Sequence, residues 1–452
     1  MDLVIRNASL LTPNGFVSGG IGVQDGRIAI IASDANLPKA GKTIEANGQI
    51  AIPGLLDTHV HFRSPEEEIE GFKSGSRAAA SVGITTVFDM PGSNPGVISR
   101  RELFKKIKSL ADTSIVDYAL YAGAGSQNLG EIDDLASAGA IAFKTFMTSS
   151  TSYHADDDGS LYEILERVGK TGKRSCIHAE NQRMIELFTK RLQSKGRNDP
   201  SAHSEARPNL VEAEAILKAV FFSRYTSTSV HIVHMSTYEG VEIVVRSKKR
   251  GYNISVETCP QYLVLDKNAA KKHGPYAKVN PPLRETRDQE ALWEGLRDGT
   301  IDMITSDHAP HPKERKDIGW TNIWEASSGN PGIEAMPPIM FTEVNKGRIS
   351  LERLVDAMST RPAKLFDLFP KKGALKVGSD ADIVLVDMKR EGKLEADKLH
   401  TKARDAFIYD GWNVKGLPTM TMVRGKIVME NGEIIGSPGW GEFLTPSSKQ
   451  QC

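Results

Sequence analysis

Between residues 55 and 310, short apolar runs alternate with helical stretches, and eight such runs can be counted: LLDTHVH, ITTVFDM, IVDYALYAG, AIAFKTF, KRSCIHA, SVHIVHM, NISVET and IDMITSD. This is the pattern of β/α units around a parallel sheet. Two of the intervening stretches carry clear helix boundaries: SRRELFKKIKSL opens on Ser99-x-x-Glu102, a capping box, and TYEGVEIVVRSKKRG stops at Gly251. Eight strands fit a closed (β/α)8 barrel. An open doubly wound sheet is the alternative, but no G-x-G-x-x-G follows any of the runs.

The two ends of the chain read differently. The first fifty residues form short strands with a hairpin at Asp25-Gly26, and ADIVLVDM and TMTMVRGKIVMENGEII near the other end alternate around Arg424-Gly425 and Asn431-Gly432. We therefore expect residues 1–52 and 372–440 to build one small composite β-sandwich, residues 53–371 the TIM-like barrel, and 441–452 a tail ending in polar SSKQQC. Lysine plus arginine number 57 and aspartate plus glutamate also 57. With no cationic excess, neither nucleic acid nor a membrane surface is an expected partner. The absence of a basic, apolar leader pattern and of a run of about 20 apolar residues predicts a cytoplasmic protein. Cys176, Cys259 and Cys452 form no C-x-x-C pair and read as buried or incidental thiols.

In five of the eight runs, the C-terminal side carries a residue able to bind metal, and in a barrel that side is the catalytic rim. Run one ends in His59-Val60-His61, whose i and i+2 side chains share a face. Run four carries Lys144, run five His178, run six His234 and run eight Asp307. His231 competes with His234 on local grounds, and His308 and His311 compete near Asp307. His234 is preferred because it directly precedes the polar MST turn.

Lys144 ends an apolar strand that should bury its ammonium. Burial of an unpaired charge favours the neutral amine, which can react with carbon dioxide to give an anionic carbamate able to bridge two cations. The alternative is a lysine that reaches the rim and pairs with a carboxylate.

HVHFR, IAFK, IHAEN, HIVHMS, VETCPQYL, KVNPPLR and SDHAPH, in this order, resemble the cyclic amidohydrolases of the amidohydrolase superfamily: dihydroorotase, allantoinase and hydantoinase. The resemblance spans nearly the whole chain. It implies two divalent metal ions, zinc foremost, with His59, His61 and Asp307 on the first, His178 and His234 on the second, and Lys144, carbamylated by CO2, between them. It also implies that Asp307 is the proton shuttle in hydrolysis of a cyclic amide.

For the substrate, Arg63 lies two residues past His61, where a guanidinium suits a ring carboxylate; Asn280 and His311 resemble dihydroorotase residues that hold substrate. These features predict dihydroorotase, a step of pyrimidine biosynthesis, with allantoinase or hydantoinase as the alternative. A salt bridge from Arg63 to Glu66, Glu67 or Glu68 is the structural alternative. Dihydroorotases carry an asparagine where this chain has Gly92, with Asn94 as a possible substitute, and GWTNIWEASSGNPGIEAMP looks closer to allantoinases and hydantoinases. Against hydantoinase, Ser149 stands five residues after Lys144 in place of a tyrosine, and Tyr153 is out of register. A metal-free scaffold of the same fold is a further alternative, disfavoured because all six ligand positions are filled. The expected partner is a small cyclic amide, and a homo-oligomer, dimer or tetramer, is compatible with the sequence.

Overall fold

The turn dipeptides noted at the chain ends become the hairpins of one sheet. The computed structural model describes residues 1–63, 69–92 and 96–446. From the N-terminal end come β1 (Leu3–Thr12), β2 (Gly15–Gln24), β3 (Arg27–Ala32), β4 (Lys42–Glu45) and β5 (Ile50–Pro53). Asp25 and Gly26 both take positive φ between β2 and β3, as a tight hairpin of matching twist requires. β1 pairs β4 through Leu3–Arg6 and β5 through Ser9 and Leu10. The switch falls at an irregularity where Asn7 is left-handed, so the sheet branches there.

Next along the chain come the barrel strands β6 (Leu55–Val60), β7 (Ile84–Asp89), β8 (Asp117–Leu120), β9 (Ala122–Gly123), β10 (Phe143–Phe146), β11 (Ser175–His178), β12 (Val230–Ile232), β13 (Ile254–Thr258) and β14 (Met303–Ile304). All eight expected runs are strands, but run three is split at Tyr121 into β8 and β9. β8 pairs β7 and β9 pairs β10, each in parallel, while Tyr121 donates its hydroxyl to the Thr58 carbonyl across the barrel. Run eight keeps two paired residues. Its remaining hydrogen bonds close the barrel by other means: His61 N–H donates to the His308 carbonyl at 2.8 Å and Ser306 N–H to Asp57 Oδ1 at 3.1 Å. Leu56, Phe88, Tyr121, Cys176, Val233 and Met303 fill the interior and pack on Phe366. The barrel is a packed core.

The helix Arg100–Leu110 begins at Ser99, whose side chain caps Glu102 N–H, and Tyr238–Lys249 ends before left-handed Gly251. The last strands, β15 (Ile383–Lys393), β16 (Asn413–Val423), β17 (Lys426–Glu430) and β18 (Glu433–Ile434), complete a nine-stranded sheet because β15 joins β5 antiparallel. Side chains from both ends, including Ile5, Leu10, Ile21, Ile383, Leu385 and Met422, make a separate core. Residues 441–446 run back to the barrel, where Leu444 N–H donates to the Tyr118 carbonyl; SSKQQC lies outside the described residues. Cys176 and Cys259 are buried free thiols. Among the described residues no helix is long and apolar enough to cross a membrane.

Candidate metal centre and active site

At the C-terminal rim, His59 sits in β6 with His61 just beyond it, Lys144 in β10, and His178 closes β11; His234 and Asp307 follow β12 and β14 by two and three residues. His234 and Asp307 both hold positive φ, a backbone state that costs energy for residues other than glycine and is concentrated at functional sites. His59 Nε2 and His61 Nε2 lie 3.3 and 3.4 Å from Asp307 Oδ1. One ligand atom from each of the three falls within 4.8 Å of the others, a spacing that could hold a cation. His178 Nδ1 and His234 Nε2 face each other at 3.0 Å, and the rings of His59 and His234 are 5.4 Å apart, so the two groups adjoin.

Two buried carboxylates fix the ring orientations. His59 Nδ1–H donates to Glu257 and His178 Nε2–H to Glu180 at 2.8 Å, which leaves His59 Nε2 and His178 Nδ1 with lone pairs aimed into the site. Burial alone would raise both carboxyls. The His59 and His231 imidazoles hold Glu257 below its ordinary value, and Arg207 with His178 does the same for Glu180. The four imidazoles of His59, His61, His178 and His234 are all pushed down, chiefly by burial, and so are neutral and able to ligate. His59 Nε2, His234 Nδ1 and Lys144 Nζ are buried without a hydrogen-bond partner among the described residues. Such orphaned atoms are rare in proteins, and here all three belong to residues lining one cavity. The donor set fits divalent cations.

Among the described residues Lys144 reaches no carboxylate. It is fully buried, its Nζ lies 5.1 Å over the Phe146 ring, and burial pulls its amine down to about 8. Asp307 is raised by the same burial, opposed by His59 and Lys144. Of the competing histidines, His231 points away from the rim to Ser255 Oγ and Glu257, and His308 is held between Glu70 and the amides of Gly332 and Ile333.

A cavity of about 510 Å3 opens over these residues and is lined also by Arg63, Gly92, Tyr153, Asn280 and His311. Arg63 donates Nε–H to the Pro310 carbonyl at 3.2 Å and approaches His311 Nε2 at 3.0 Å. Asn280 Oδ1 and His311 Nδ1 are buried without partners. Asn94 and Glu66 to Glu68 lie outside the described residues. Tyr153, nine residues past Lys144 and out of register by spacing, is 97% buried in this wall, while Ser149 faces a separate outer groove. A Cβ on Gly92 would stand 3.1 Å from the Tyr153 hydroxyl. The sequence reading also missed the roles of Glu257 and Glu180. Their only signal was an acidic residue inside or beside an apolar strand, in VETCPQYL and IHAEN.

The profile of the amidohydrolase family matches residues 50–428. The chain belongs to the amidohydrolase family. An L-hydantoinase from Paenarthrobacter aurescens is 37% identical over 449 residues, 98% of each chain, and an allantoinase from Rubrobacter xylanophilus is 33% identical over 454 residues, 99% of this chain and 98% of that one. The solved L-hydantoinase (dihydropyrimidinase) from Arthrobacter aurescens superposes with a TM-score of 0.95 at 37% identity, covering 98% of this chain and 99% of that one. This amidohydrolase is therefore an enzyme of the hydantoinase and allantoinase type, acting on the C–N bond of a cyclic amide, in a family that depends on paired metal ions. The expectation of dihydroorotase finds no support in these likenesses, which favour the alternative.

Proposed function

We propose that this amidohydrolase is a hydantoinase, which adds water across the amide bond between a ring carbonyl and the neighbouring ring nitrogen of a 5-substituted hydantoin to give an N-carbamoyl amino acid. The observation that carries this reading is Tyr153. Its hydroxyl lies beside Gly92, which His61 also approaches, in the wall of the cavity that the rim residues line. Such a group offers a neutral donor to a ring carbonyl as its oxygen gains charge. Arg63, the residue suited to a ring carboxylate, is engaged with Pro310 and His311, and a hydantoin ring carries no carboxylate.

In this reading His59, His61 and Asp307 would hold one divalent ion and His178 and His234 a second, and Lys144, as its carbamate, would supply a further anionic ligand. Zinc suits these donors. Bound there, the ions would supply a water acidic enough to attack at neutral pH and a Lewis acid for the carbonyl. Asp307 takes the proton of the attacking water and returns it to the departing ring nitrogen, which must be protonated for the C–N bond to break.

Allantoin is the second reading. The hydroxyl-rich wall of Ser150, Thr151, Ser152, Ser327 and Ser328 suits a polar substituent such as a ureido group. Metal-replete protein should be assayed on 5-alkyl- and 5-arylhydantoins, on allantoin, the 5-ureido hydantoin, and on dihydroorotate, with wild type and Arg63→Met. We expect the alkyl- and arylhydantoins to be turned over fastest and the variant to stay within about tenfold of wild type. A carboxylate clamp at Arg63 would instead cost roughly thirty- to several-thousand-fold in kcat/KM. Fastest turnover of allantoin would transfer the assignment to the second reading, and fastest turnover of dihydroorotate would remove both.

A further inference from the structure

Two lysines beside the site are buried without an anion. Lys316 is 0% and Lys278 8% exposed, and among the described residues neither lies within 4.0 Å of a carboxylate. A buried cation without a counterion is costly unless its donors are met. Burial pulls Lys316 down to about 7 and Lys278 to about 8, but unlike Lys144 both have main-chain carbonyls that meet the donors of the charged form. Lys316 Nζ donates to the carbonyls of Lys278 and Ser327 at 3.1 Å each and of Gly329 at 2.7 Å, which uses all three ammonium N–H groups. Lys278 Nζ donates to the carbonyls of Ile323 and Ala326 at 2.7 and 2.6 Å.

All four acceptors other than Lys278 itself belong to residues 323–329, a stretch without helix or strand. Its last three residues, Ser327, Ser328 and Gly329, wall the cavity. The Ser328 carbonyl lies 3.0 Å from His311 Nε2, on the ring that also meets Arg63. The opposite partner is tied in as well, because Gly329 N–H donates to the Lys278 carbonyl at 2.9 Å and Lys278 stands two residues before Asn280. An irregular segment with so few bonds of its own is shaped by whatever satisfies its carbonyls.

We propose that Lys316, with Lys278, is a positioning residue: its ammonium ties the Ser327–Gly329 wall to the Asn280 segment and so sets the shape of the substrate cavity without touching substrate or metal ligands. The kinetic part of this proposal rests on the hydrolase reading above; the structural part does not. Replacing Lys316 loosens the wall that binds the ring, while the six residues at the metal centre keep their places. The loss therefore falls on KM.

The test pairs hydrogen exchange with kinetics on metal-replete wild type, Lys316→Met, Lys316→Arg and Lys278→Gln. For Lys316→Met we expect faster amide exchange confined to residues near Ser327–Asn330 in substrate-free protein. We also expect KM raised about tenfold or more, kcat changed less than about threefold, and metal content unchanged. Lys316→Arg, which keeps charge and donors, should recover part of the KM. Should Lys316→Met fail to fold, Lys278→Gln carries the same expectation at the more accessible of the two sites. Unaltered exchange and KM in a folded variant, or equal losses in kcat and metal, would overturn the proposal. A wild type inactive on every cyclic amide would sink the functional reading and leave the exchange experiment to decide the positioning role.

Discussion

In the proposed mechanism Lys144 carries the most consequential chemistry on the least conspicuous sequence signal. Its amine is buried, without a hydrogen-bond partner among the described residues, and lowered to about 8 by burial, so at neutral pH about a tenth is the nucleophilic free base. At a fixed concentration of dissolved carbon dioxide, metal-free protein should therefore take it up at Lys144 faster as pH rises, by nearly tenfold per unit below about 8 and levelling above it. Mass spectrometry under non-denaturing conditions or 13C NMR of labelled carbamate would record this. Lys144→Ala should lose nearly all activity and part of its metal, with a little activity restored by short carboxylic acids. A normal rate and metal content in that variant would show that the amine is no bridge. The six rim residues were legible because each is a metal-binding type at the C-terminal end of an apolar run. Tyr153 was not: spacing along a loop does not determine where a side chain lands, and the chain from Thr148 to Asp156 turns back so that Tyr153, not Ser149, faces the metals' side of the cavity.

Elements, rather than residues, explain why the imidazoles hold their orientations. Glu257 on β13 accepts from His59 of β6, from His231 of β12 at 3.0 Å and from the His234 amide at 3.3 Å, so one carboxylate couples three places in the barrel. Glu257→Gln replaces one acceptor oxygen by an amine that opposes an imidazole N–H. We expect metal affinity to fall about ten- to a hundredfold with the barrel intact. Metal analysis after dialysis against a graded chelator, alongside circular dichroism, measures both; wild-type retention would mean that Glu257 is only a packing partner. The strands themselves were readable from apolar runs and capped helices. What periodicity could not reveal was the break at Tyr121 or the brevity of β14, because both arise where a side chain takes over hydrogen bonding. Tyr121 spans to Thr58, and Asp57 replaces ladder bonds at Ser306, with burial driving its carboxyl up to about 7. These are long-range pairings with no local pattern.

At the scale of the whole molecule, the terminal sheet is latched to the barrel by Lys372, which contacts Asp117 of β8 as well as Asp380 at 3.0 Å and Asp382 at 2.7 Å. That inward face is complete. The outward face of the helix Asn209–Thr226 is not, for Leu210, Leu217, Phe221 and Tyr225 are 50% to 60% exposed, while Val211, Ala215, Ile216 and Ala219 are buried on the other side. Steps of seven, four and four residues keep the four exposed side chains within an arc of about 80°. A helix apolar on both faces is expected to be covered on both. A second copy suits the gap: an antiparallel two-fold contact would bring Leu210 of one helix near Tyr225 of the other. Charges along the stripe, Glu214 and Lys218, are already paired at 3.3 Å within the helix. Four side chains fall short of the roughly 800 Å2 per partner of a standard interface, so the adjoining helix Gln182–Gln193, with Leu187 45% exposed, must share in it. We expect light scattering at micromolar concentration to give at least a dimer. The double variant Leu217→Glu/Phe221→Glu should dissociate to a smaller species, because two apolar contacts become four like charges across the two-fold axis. Its metal content should be unchanged, since the stripe holds none of the proposed ligands. A monomeric wild type, or a double variant of undiminished mass, would leave the stripe without the partner assigned to it.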